Sequence, residues 1–340
     1  MTTRALGLGI AVAALVASVA PVGPAAAGGR AGRLVRVERP ESARVEVPAG
    51  RFIMGTPLED LEVLLDECRR VESLSSNGLD VCAAWFAAMA ERTPRDVWLD
   101  RFAIDRFEVT VEAYRACVHA GACPIAALLE GDPRHLGPGQ PMVNVTRGEA
   151  AGFCAWRGGR LPTEAEWEKA ARGTDGRTWP WGDRGGPGRF NHGEPRAAVL
   201  VELEGLMEPA QRPERQVGDP DDRDGWATAA PPGSLRAGDG PYGTADQAGN
   251  VAEWVLDSFS LRGLLGQPGR NPVRDPDPSG DAGHVRGGSW RDPPFAGRVD
   301  LPHYLSAIIR PEARLPYVGF RCVYGAVAPT PWAAVPVDRR

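Results

Sequence analysis

The stretch from Gly240 to Asp257 combines residue types that could hold a hard metal cation. Asp246 and Glu253 lie on either side of Gly249, and a glycine permits backbone angles that turn carbonyl groups inward. Calcium binds several oxygens at once, with carboxylates and carbonyls mixed. The two carboxylates and the carbonyls of Gly249 and Val251 could supply four of them. The alternative is a glycine-rich turn with solvated carboxylates, because acidic turns are common.

A second acidic stretch lies upstream, from Asp219 to Trp226. Its carboxylates are less dense than those of a DxDxDG calcium loop, so by itself it is weak evidence for a metal site. The five histidines of the chain show no paired ligand spacing. That spacing speaks against a mononuclear iron centre.

Five motifs occur here in the same order as in a known protein family. The motifs are RLPTEAEWEKAAR at Arg160–Arg172, WPWG at Trp179–Gly182, GTADQAGNVAEW at Gly243–Trp254, VRGGSW at Val285–Trp290 and GFRC at Gly319–Cys322. They resemble the sulfatase-modifying-factor domain, the fold of the formylglycine-generating enzyme, and the resemblance covers about residues 44–325. It implies a single mixed α+β domain, rich in coil, with a C-type-lectin-like core.

The resemblance also implies two structural calcium sites. The second of these falls on the four residues already suggested by the pattern around Gly249. We therefore expect calcium as a structural cofactor. In the family the first site uses an asparagine side chain, the next carbonyl and a later Asp-Gly-aromatic turn, which here correspond to Asn191, His192, Asp224 and Trp226.

The oxidase chemistry of the family depends on copper(I) held by two cysteine thiolates, and copper(I) requires such soft ligands. In the family these cysteines lie two and seven positions after the aromatic residue of the Gly-Gly-Ser-aromatic motif. The corresponding positions after Trp290 are Asp292 and Gly297, and neither can supply a thiolate. Copper is therefore not expected in this chain.

These observations favour a domain that binds a peptide or other ligand in the former substrate cleft without oxidising it. Motif positions alone place Ser289, Trp290, Arg291, Asp292 and Arg321 in that cleft. Arg321, in the GFRC motif, also has the character of a structural ion-pair residue, and we favour that role.

Two enzyme hypotheses remain open. An active formylglycine-generating oxidase would need another pair of free thiols near Ser289. A hydrolase would need Asp292 as a cleft carboxylate with a raised pKa. A serine nucleophile at Ser289 would need a nearby base such as His284 or His303, and a serine without one is inert; we do not favour this reading.

Composition and the first residues indicate the compartment. The formal net charge is −5 and no basic block occurs, which argues against nucleic acid and against an electrostatic membrane anchor. Residues 1–27 are typical of a signal peptide, with an uncleaved anchor as the alternative. Residues 28–43 follow as a flexible lead and residues 326–340 as a tail. We expect a secreted or periplasmic protein with no membrane attachment after cleavage.

The chain has six cysteines, an even number that suits disulfides in an oxidising compartment. Cys154 and Cys322 lie in apolar surroundings, where buried free thiols are as plausible as a bridge. The other four form two candidate pairs, Cys68–Cys82 and Cys117–Cys123.

The remaining pattern predicts short elements. Arg44–Gly55 alternates as two strands around a turn, and residues 58–92 are interpreted as an insertion of two short helices. Pro94–Asp105 indicates a strand, and Val285–Trp290 indicates a strand with a glycine bulge. Tyr317–Tyr324 is expected to close the domain. The 42 glycines and 32 prolines indicate much irregular structure.

Three helices are expected after Thr110, Thr146 and Thr163. The last two are followed three residues later by Glu149 and Glu166, the capping-box pattern in which the hydroxyl and the carboxylate each satisfy a backbone N–H. The apolar segments of these helices are Val111–His119, Ala150–Arg157 and Trp167–Arg172. We interpret the glutamates at 164, 166 and 168 as favourable charges at a helix start.

Overall fold

The structure is a computed structural model, which describes residues 43–71, 81–90, 92, 94–186, 188–193, 224–260, 262–274, 282–303, 306 and 309–325. The proposed signal peptide, the lead up to residue 42 and the tail lie outside these residues and stay predictions. Within the described part, no helix is long and apolar enough to cross a membrane.

The fold is a mixed α+β arrangement of six α-helices and eight short strands among the described residues. The helices are α1 (Leu58–Val71), α2 (Val81–Ala90), α3 (Val111–His119), α4 (Ala126–Glu130), α5 (Arg147–Trp156) and α6 (Glu164–Arg172). The strands are β1 (Arg44–Val47), β2 (Gly50–Met54), β3 (Arg95–Leu99), β4 (Phe102–Asp105), β5 (Ala252–Trp254), β6 (Val285–Arg286), β7 (Val318–Gly319) and β8 (Val323–Tyr324).

The strands form three small sheets in the described part of the chain, ordered β1-β4-β8, β2-β3 and β6-β5-β7. The two predicted N-terminal strands are confirmed, and they belong to different sheets. Arg44 of β1 pairs with Asp105 of β4, whereas Gly50 of β2 pairs with Leu99 of β3. The turn between β1 and β2 therefore moves the chain from one sheet to the next.

The three predicted helix starts are confirmed. The side-chain oxygens of Thr110, Thr146 and Thr163 each accept a backbone N–H. Both capping boxes, with Glu149 and Glu166, are complete. Helices α5 and α6 begin at once after the cap, three residues before their apolar segments. The polar residues between cap and segment form the first helical turn, because the cap satisfies its orphan N–H groups.

The insertion forms the two helices that its spacing predicts, α1 and α2, and the disulfide Cys68–Cys82 joins them. Their buried apolar side chains form one cluster, which also includes Phe295 and Leu301. The insertion therefore packs on the segment that follows the VRGGSW motif. The cluster comprises Leu61, Leu64, Cys68, Cys82, Trp85, Phe86, Met89, Phe295 and Leu301.

The largest core cluster packs α3 and α5 against the central sheet. Tyr114, Phe153, Trp254 and Phe320 are all completely buried within it. Two disulfides belong to this core. Cys117–Cys123 is confirmed, and the question left open for the other two cysteines is answered by a bond that spans 168 residues, Cys154–Cys322.

The central sheet brings three of the family-like motifs together. Glu253 of β5 pairs with Arg286 of β6 on one side and with Gly319 of β7 on the other. The strand expected over 285–290 is shorter than expected and ends at Arg286. Gly287 and Gly288 follow with φ of 92° and 67°, a conformation that favours glycine. They turn the chain toward Ser289 and Trp290.

Candidate functional site

Backbone hydrogen bonds connect the VRGGSW loop to the GTADQAGNVAEW loop. The Gly249 N–H donates to the Gly287 carbonyl at 2.7 Å, and the Trp290 N–H donates to the Asn250 carbonyl at 2.8 Å. The Asn250 N–H in turn donates to the Asn191 carbonyl at 2.8 Å. The expected calcium residues and the expected cleft residues therefore lie on one connected framework.

The first expected calcium group is gathered in the structure. Asp224 accepts from the Trp226 N–H at 2.8 Å and from the His192 N–H at 3.3 Å. The Asn191 amide nitrogen donates to the Thr228 carbonyl at 2.8 Å, while its buried amide oxygen has no hydrogen-bond donor among the described residues. A buried oxygen without a donor is rare in proteins, and it is the kind of ligand that calcium takes.

The two carboxylates of the second expected calcium group, Asp246 and Glu253, are both bound to hydrogen-bond donors of the protein. Asp246 is half-buried, and it accepts from the Gly233 N–H. Burial raises the pKa of Asp246 to about 6. Both carboxylate oxygens of Glu253 bind the Arg321 guanidinium at 2.6–3.0 Å. The Trp167 indole adds a bond to Glu253 at 2.8 Å. Glu253 is therefore half of a buried ion pair.

Arg321 is completely buried, so it is a structural residue and not part of an open cleft. It also donates to the carbonyls of Asp105, Arg106 and Ala245. This corrects its inclusion among the cleft candidates and confirms the ion-pair role that we favoured.

Glu108 is a member of this cluster that sequence reasoning missed. It accepts from the Asn250 side chain at 2.6 Å and from the Val251 N–H at 3.2 Å. Burial, and then the negative charges of Asp246 and Glu253, raise the pKa of Glu108 well above its usual value. Three carboxylates thus surround one guanidinium. The described residues contain no group of three or more His, Cys, Asp and Glu placed to hold a metal, so a cation here would depend on amide and carbonyl oxygens as well.

Asp292, at the first of the two cysteine positions, is buried and strongly paired. The Ser289 hydroxyl donates to Asp292, and the His303 Nε2 lies 3.0 Å from the same carboxylate oxygen. Burial acts to raise the pKa of Asp292, but His303, Arg291 and the hydrogen bonds outweigh it and hold the pKa at about 2. Asp292 is therefore an ionised carboxylate, not the acid with a raised pKa that the hydrolase hypothesis requires.

The same contacts bear on a serine nucleophile. His303 and the Ser289 hydroxyl bind the same oxygen of Asp292. In a catalytic triad the histidine lies between serine and aspartate and takes the serine proton. Here the aspartate lies between the other two, so this arrangement is different from a triad. The contact with Asp292 was not predicted, since His303 lies eleven residues further along the chain.

Gly297, at the second cysteine position, lies in a short 3-10 helix over 294–297. A Cβ at this position would lie 2.8 Å from the Phe190 ring and 3.3 Å from that of Trp179. Such a contact is too close for a real Cβ, so a cysteine would require these rings to move. Position 297 therefore has no thiolate to offer copper(I), and it has no space for a cysteine side chain either.

All six cysteines are disulfide-bonded, and none is free. Copper(I) needs soft thiolate or thioether ligands, and neither Asp292 nor Gly297 offers one. The residues present therefore do not fit the copper centre of the family.

Among the four cleft candidates from Ser289 to Asp292, Arg291 alone is half-buried, and the other three are buried. The Arg291 guanidinium lies 4.2 Å from the centre of the Tyr317 ring. The Trp290 ring stacks on His135 with 5.8 Å between ring centroids, and its indole N–H has no acceptor among the described residues.

Comparison with known proteins identifies the family in which the five motifs occur. The family model of the sulfatase-modifying factor enzyme 1-like domain matches residues 31–326. The chain belongs to this family. Its structure is similar to that of PvdO from Pseudomonas aeruginosa, with a TM-score of 0.55 and 23% sequence identity over 83% of this chain and 94% of PvdO. The formylglycine-generating-enzyme fold with a C-type-lectin-like core, expected from the sequence, is confirmed.

The relatives within the family include a protein named as inactive and proteins named as formylglycine-generating enzymes. "Inactive C-alpha-formylglycine-generating enzyme 2" of Mus musculus is 26% identical, over 85% of this chain and 88% of the mouse protein. The formylglycine-generating enzyme of Streptomyces coelicolor is 33% identical over 56% of this chain. That of Mycobacterium tuberculosis is 30% identical over 56%. The chain spans little more than half of these two bacterial enzymes, 54% and 59% of their lengths.

A buried ion network on β6 and α6 completes the surroundings of the family motifs. The Arg286 guanidinium contacts Glu164 at 3.0 Å and Glu168 at 2.8 Å. Arg92 pairs with Glu164, and Arg172 pairs with Glu168 at 2.8 Å. The interpretation of Glu164 and Glu168 as simple helix-start charges was incomplete, because both bind arginines from other parts of the chain. Glu166 completes its capping box as expected and also binds Arg160 at 2.6 Å.

Proposed function

We propose that this chain is a secreted, calcium-stabilised member of the family that binds a peptide or other ligand without copper-thiolate oxidase chemistry. The observation that carries the proposal is the state of the two cysteine positions. Asp292 is an ionised, hydrogen-bonded carboxylate, and Gly297 has no space for a side chain. With every cysteine in a disulfide, the chain has no thiolate pair to offer copper(I).

The ligand-binding part of the proposal depends on Trp290 and Arg291. The buried indole N–H of Trp290 has no acceptor among the described residues, so it is an unsatisfied donor that a carbonyl oxygen can satisfy. A half-buried guanidinium held over Tyr317 presents its remaining donors to solvent. Backbone carbonyls and a carboxylate of an extended peptide satisfy both kinds of donor.

The calcium part depends on Asn191 and on the charge around Arg321. The buried amide oxygen of Asn191 has no donor among the described residues. Burial and neighbouring negative charges raise the pKa values of Glu108 and Asp246. A cation at the first site would satisfy the amide oxygen, and one at the second would favour the ionised carboxylates. Three disulfides and the predicted signal peptide support secretion or a periplasmic location.

The test of function is incubation of the mature, copper-loaded protein with a Cys-Thr-Pro-Ser-Arg-type sulfatase peptide, read by mass and by binding. We expect no aldehyde, and we expect binding that weakens about tenfold in Arg291→Ala and is unchanged in Arg236→Ala, an exposed arginine. Aldehyde formation would contradict the loss of oxidase chemistry. Equal binding by the two variants, or no binding at all, would overturn the proposed ligand site.

Calcium is tested by the thermal midpoint of unfolding. The midpoint is expected to rise with calcium and fall with EDTA, by several degrees when calcium is at about 100 times its dissociation constant. The gain is expected to disappear in Asn191→Ala and to persist in Asn271→Ala, whose side chain binds Asp100 elsewhere. Comparing the gain within each variant removes any loss of stability that the substitution itself causes. An equal gain in both variants would exclude Asn191 as a ligand.

A further inference from the structure

A cavity of about 250 Å³ lies between the insertion and the family core. Met89 of α2 and Arg92 just beyond it form one wall, and Glu164 and Glu168 of α6 lie on the core side. Arg286 of β6 also lines it. The chain from residue 262 to 266 contributes the rim. The cavity exists because the insertion covers this part of the core.

Positive charge is in excess inside this cavity. Four arginines and three carboxylates line it among the described residues, namely Arg92, Arg95, Arg262, Arg286, Glu164, Glu168 and Asp300. Each carboxylate is already paired. Glu164 and Glu168 bind the arginines of the buried network, and Asp300 binds Arg298 at 2.8 Å.

Two of the lining arginines therefore lack an anionic partner within the described part of the chain. The Arg95 guanidinium donates to the carbonyls of Leu264 and Gln267, which carry no net charge. Arg262 is exposed at the rim. The Nε of Arg286, which is 1% exposed, also has no acceptor among the described residues. A half-buried cation without a counter-ion, such as Arg95, is unfavourable. This arrangement favours an incoming anion, which the exposed Arg262 at the rim can also contact.

The rest of the lining is apolar. Met54, Met89, Leu264 and Leu265 contribute to it, and methionine side chains adapt to ligands of different shape. Gly263 brings the rim close to the arginines: a Cβ there would lie 3.2 Å from the Arg92 guanidinium carbon. The volume is slightly below the range of drug-sized pockets, so the occupant must be small.

We infer that this cavity binds a small organic oxyanion, in which a carboxylate, sulfate or phosphate group is carried on an apolar body. The oxyanion contacts Arg262 and Arg95 at the rim, and the body lies against the methionines and leucines. Arginine suits this role because its planar guanidinium matches the geometry of oxyanions. The site depends on the insertion and not on the former substrate cleft.

Isothermal titration of the full mature protein with benzoate, inorganic phosphate and benzyl alcohol tests the inference. Benzoate is expected to bind, to weaken about tenfold in Arg262→Gln, and to weaken with added salt. Benzyl alcohol has the same ring without the charge and is expected to bind at least tenfold more weakly than benzoate. Arg236→Gln removes an exposed charge from outside the cavity lining and is expected to leave benzoate binding unchanged.

Several results would overturn the inference. Absence of binding by both benzoate and phosphate would exclude an anion site. If benzyl alcohol bound as tightly as benzoate, the negative charge would have no role in binding. If inorganic phosphate bound as tightly as benzoate, the apolar body would have no role. An equal loss in the two variants would indicate general surface electrostatics. None of these results depends on peptide binding at Arg291, so the two proposals fail separately.

Discussion

Replacement of Arg321 by methionine is expected to lower the free energy of unfolding by about 3–5 kcal/mol, measured by urea denaturation at pH 7. Arg321 is completely buried and binds both oxygens of Glu253. Without it, the buried Glu253 would lose its ion-pair partner, and no guanidinium would offset the charge of the neighbouring Glu108 and Asp246. Removing one partner of a buried pair is far more costly than removing the pair, because a charge is left unpaired.

Two further variants sharpen this test. Arg270→Met breaks the exposed pair with Asp100, in which the side chains are 66% and 39% exposed, and it is expected to cost at most about 1 kcal/mol. Arg321→Met combined with Glu253→Met is expected to recover part of the loss of the single variant. Similar costs for Arg321→Met and Arg270→Met would contradict the structural role of Arg321.

Removal of the disulfide Cys154–Cys322 is expected to have a comparable effect. The bond closes a loop with a sequence separation of 168, and the chain-entropy model assigns about 5 kcal/mol to a loop of that size. The double variant Cys154→Ala and Cys322→Ala is therefore expected to show a much lower urea midpoint than the parent protein. The slope of the transition is expected to rise, because without the bond the unfolded chain expands and exposes more surface.

The other core disulfide provides the comparison. Cys117–Cys123 has a separation of only 6, for which the same model gives about 2 kcal/mol. Cys117→Ala with Cys123→Ala is thus expected to be the milder double variant. A greater loss from the short loop than from the long one would show that local packing, and not loop length, determines the contribution of these bonds.

Local features of this fold were predictable because they depend on residues close in sequence. Thr146 and Glu149 are three residues apart, and hydroxyl, carboxylate and backbone N–H groups meet within a single turn. The hairpin of α1 and α2 and its disulfide follow from helical spacing on both sides of Cys68 and Cys82. The motif order was sufficient for the fold class.

The charged clusters were not predictable in the same way. Arg286 lies 122 residues from Glu164, and Arg321 lies 68 residues from Glu253. Nothing in the local pattern of either arginine distinguishes a buried partner from a solvated charge. The pairing of Arg321 with Glu253 depends on β5 and β7 lying side by side, and that of Arg286 with Glu164 depends on α6 lying beside β6. Both neighbourhoods exist only in the folded chain.

The two positions that correspond to the family's cysteines, Asp292 and Gly297, were predictable only in part. Motif alignment was sufficient to show that Asp292 replaces a cysteine. It did not show that Ser289 and His303 hold that carboxylate in its ionised state, because His303 approaches through a loop with no regular pattern. Nor did it show that aromatic rings close the space beside Gly297.

The order of strands β1-β4-β8 has a consequence for synthesis on the ribosome. β4 lies in the middle of its sheet, yet one of its two neighbours is the last strand of the described residues, at Val323–Tyr324. Until that strand emerges, β4 has one unpaired edge, and such edges invite association with other chains. The partner of Cys154 emerges at the same late stage. The nascent chain therefore needs protection until almost the whole domain has been translated.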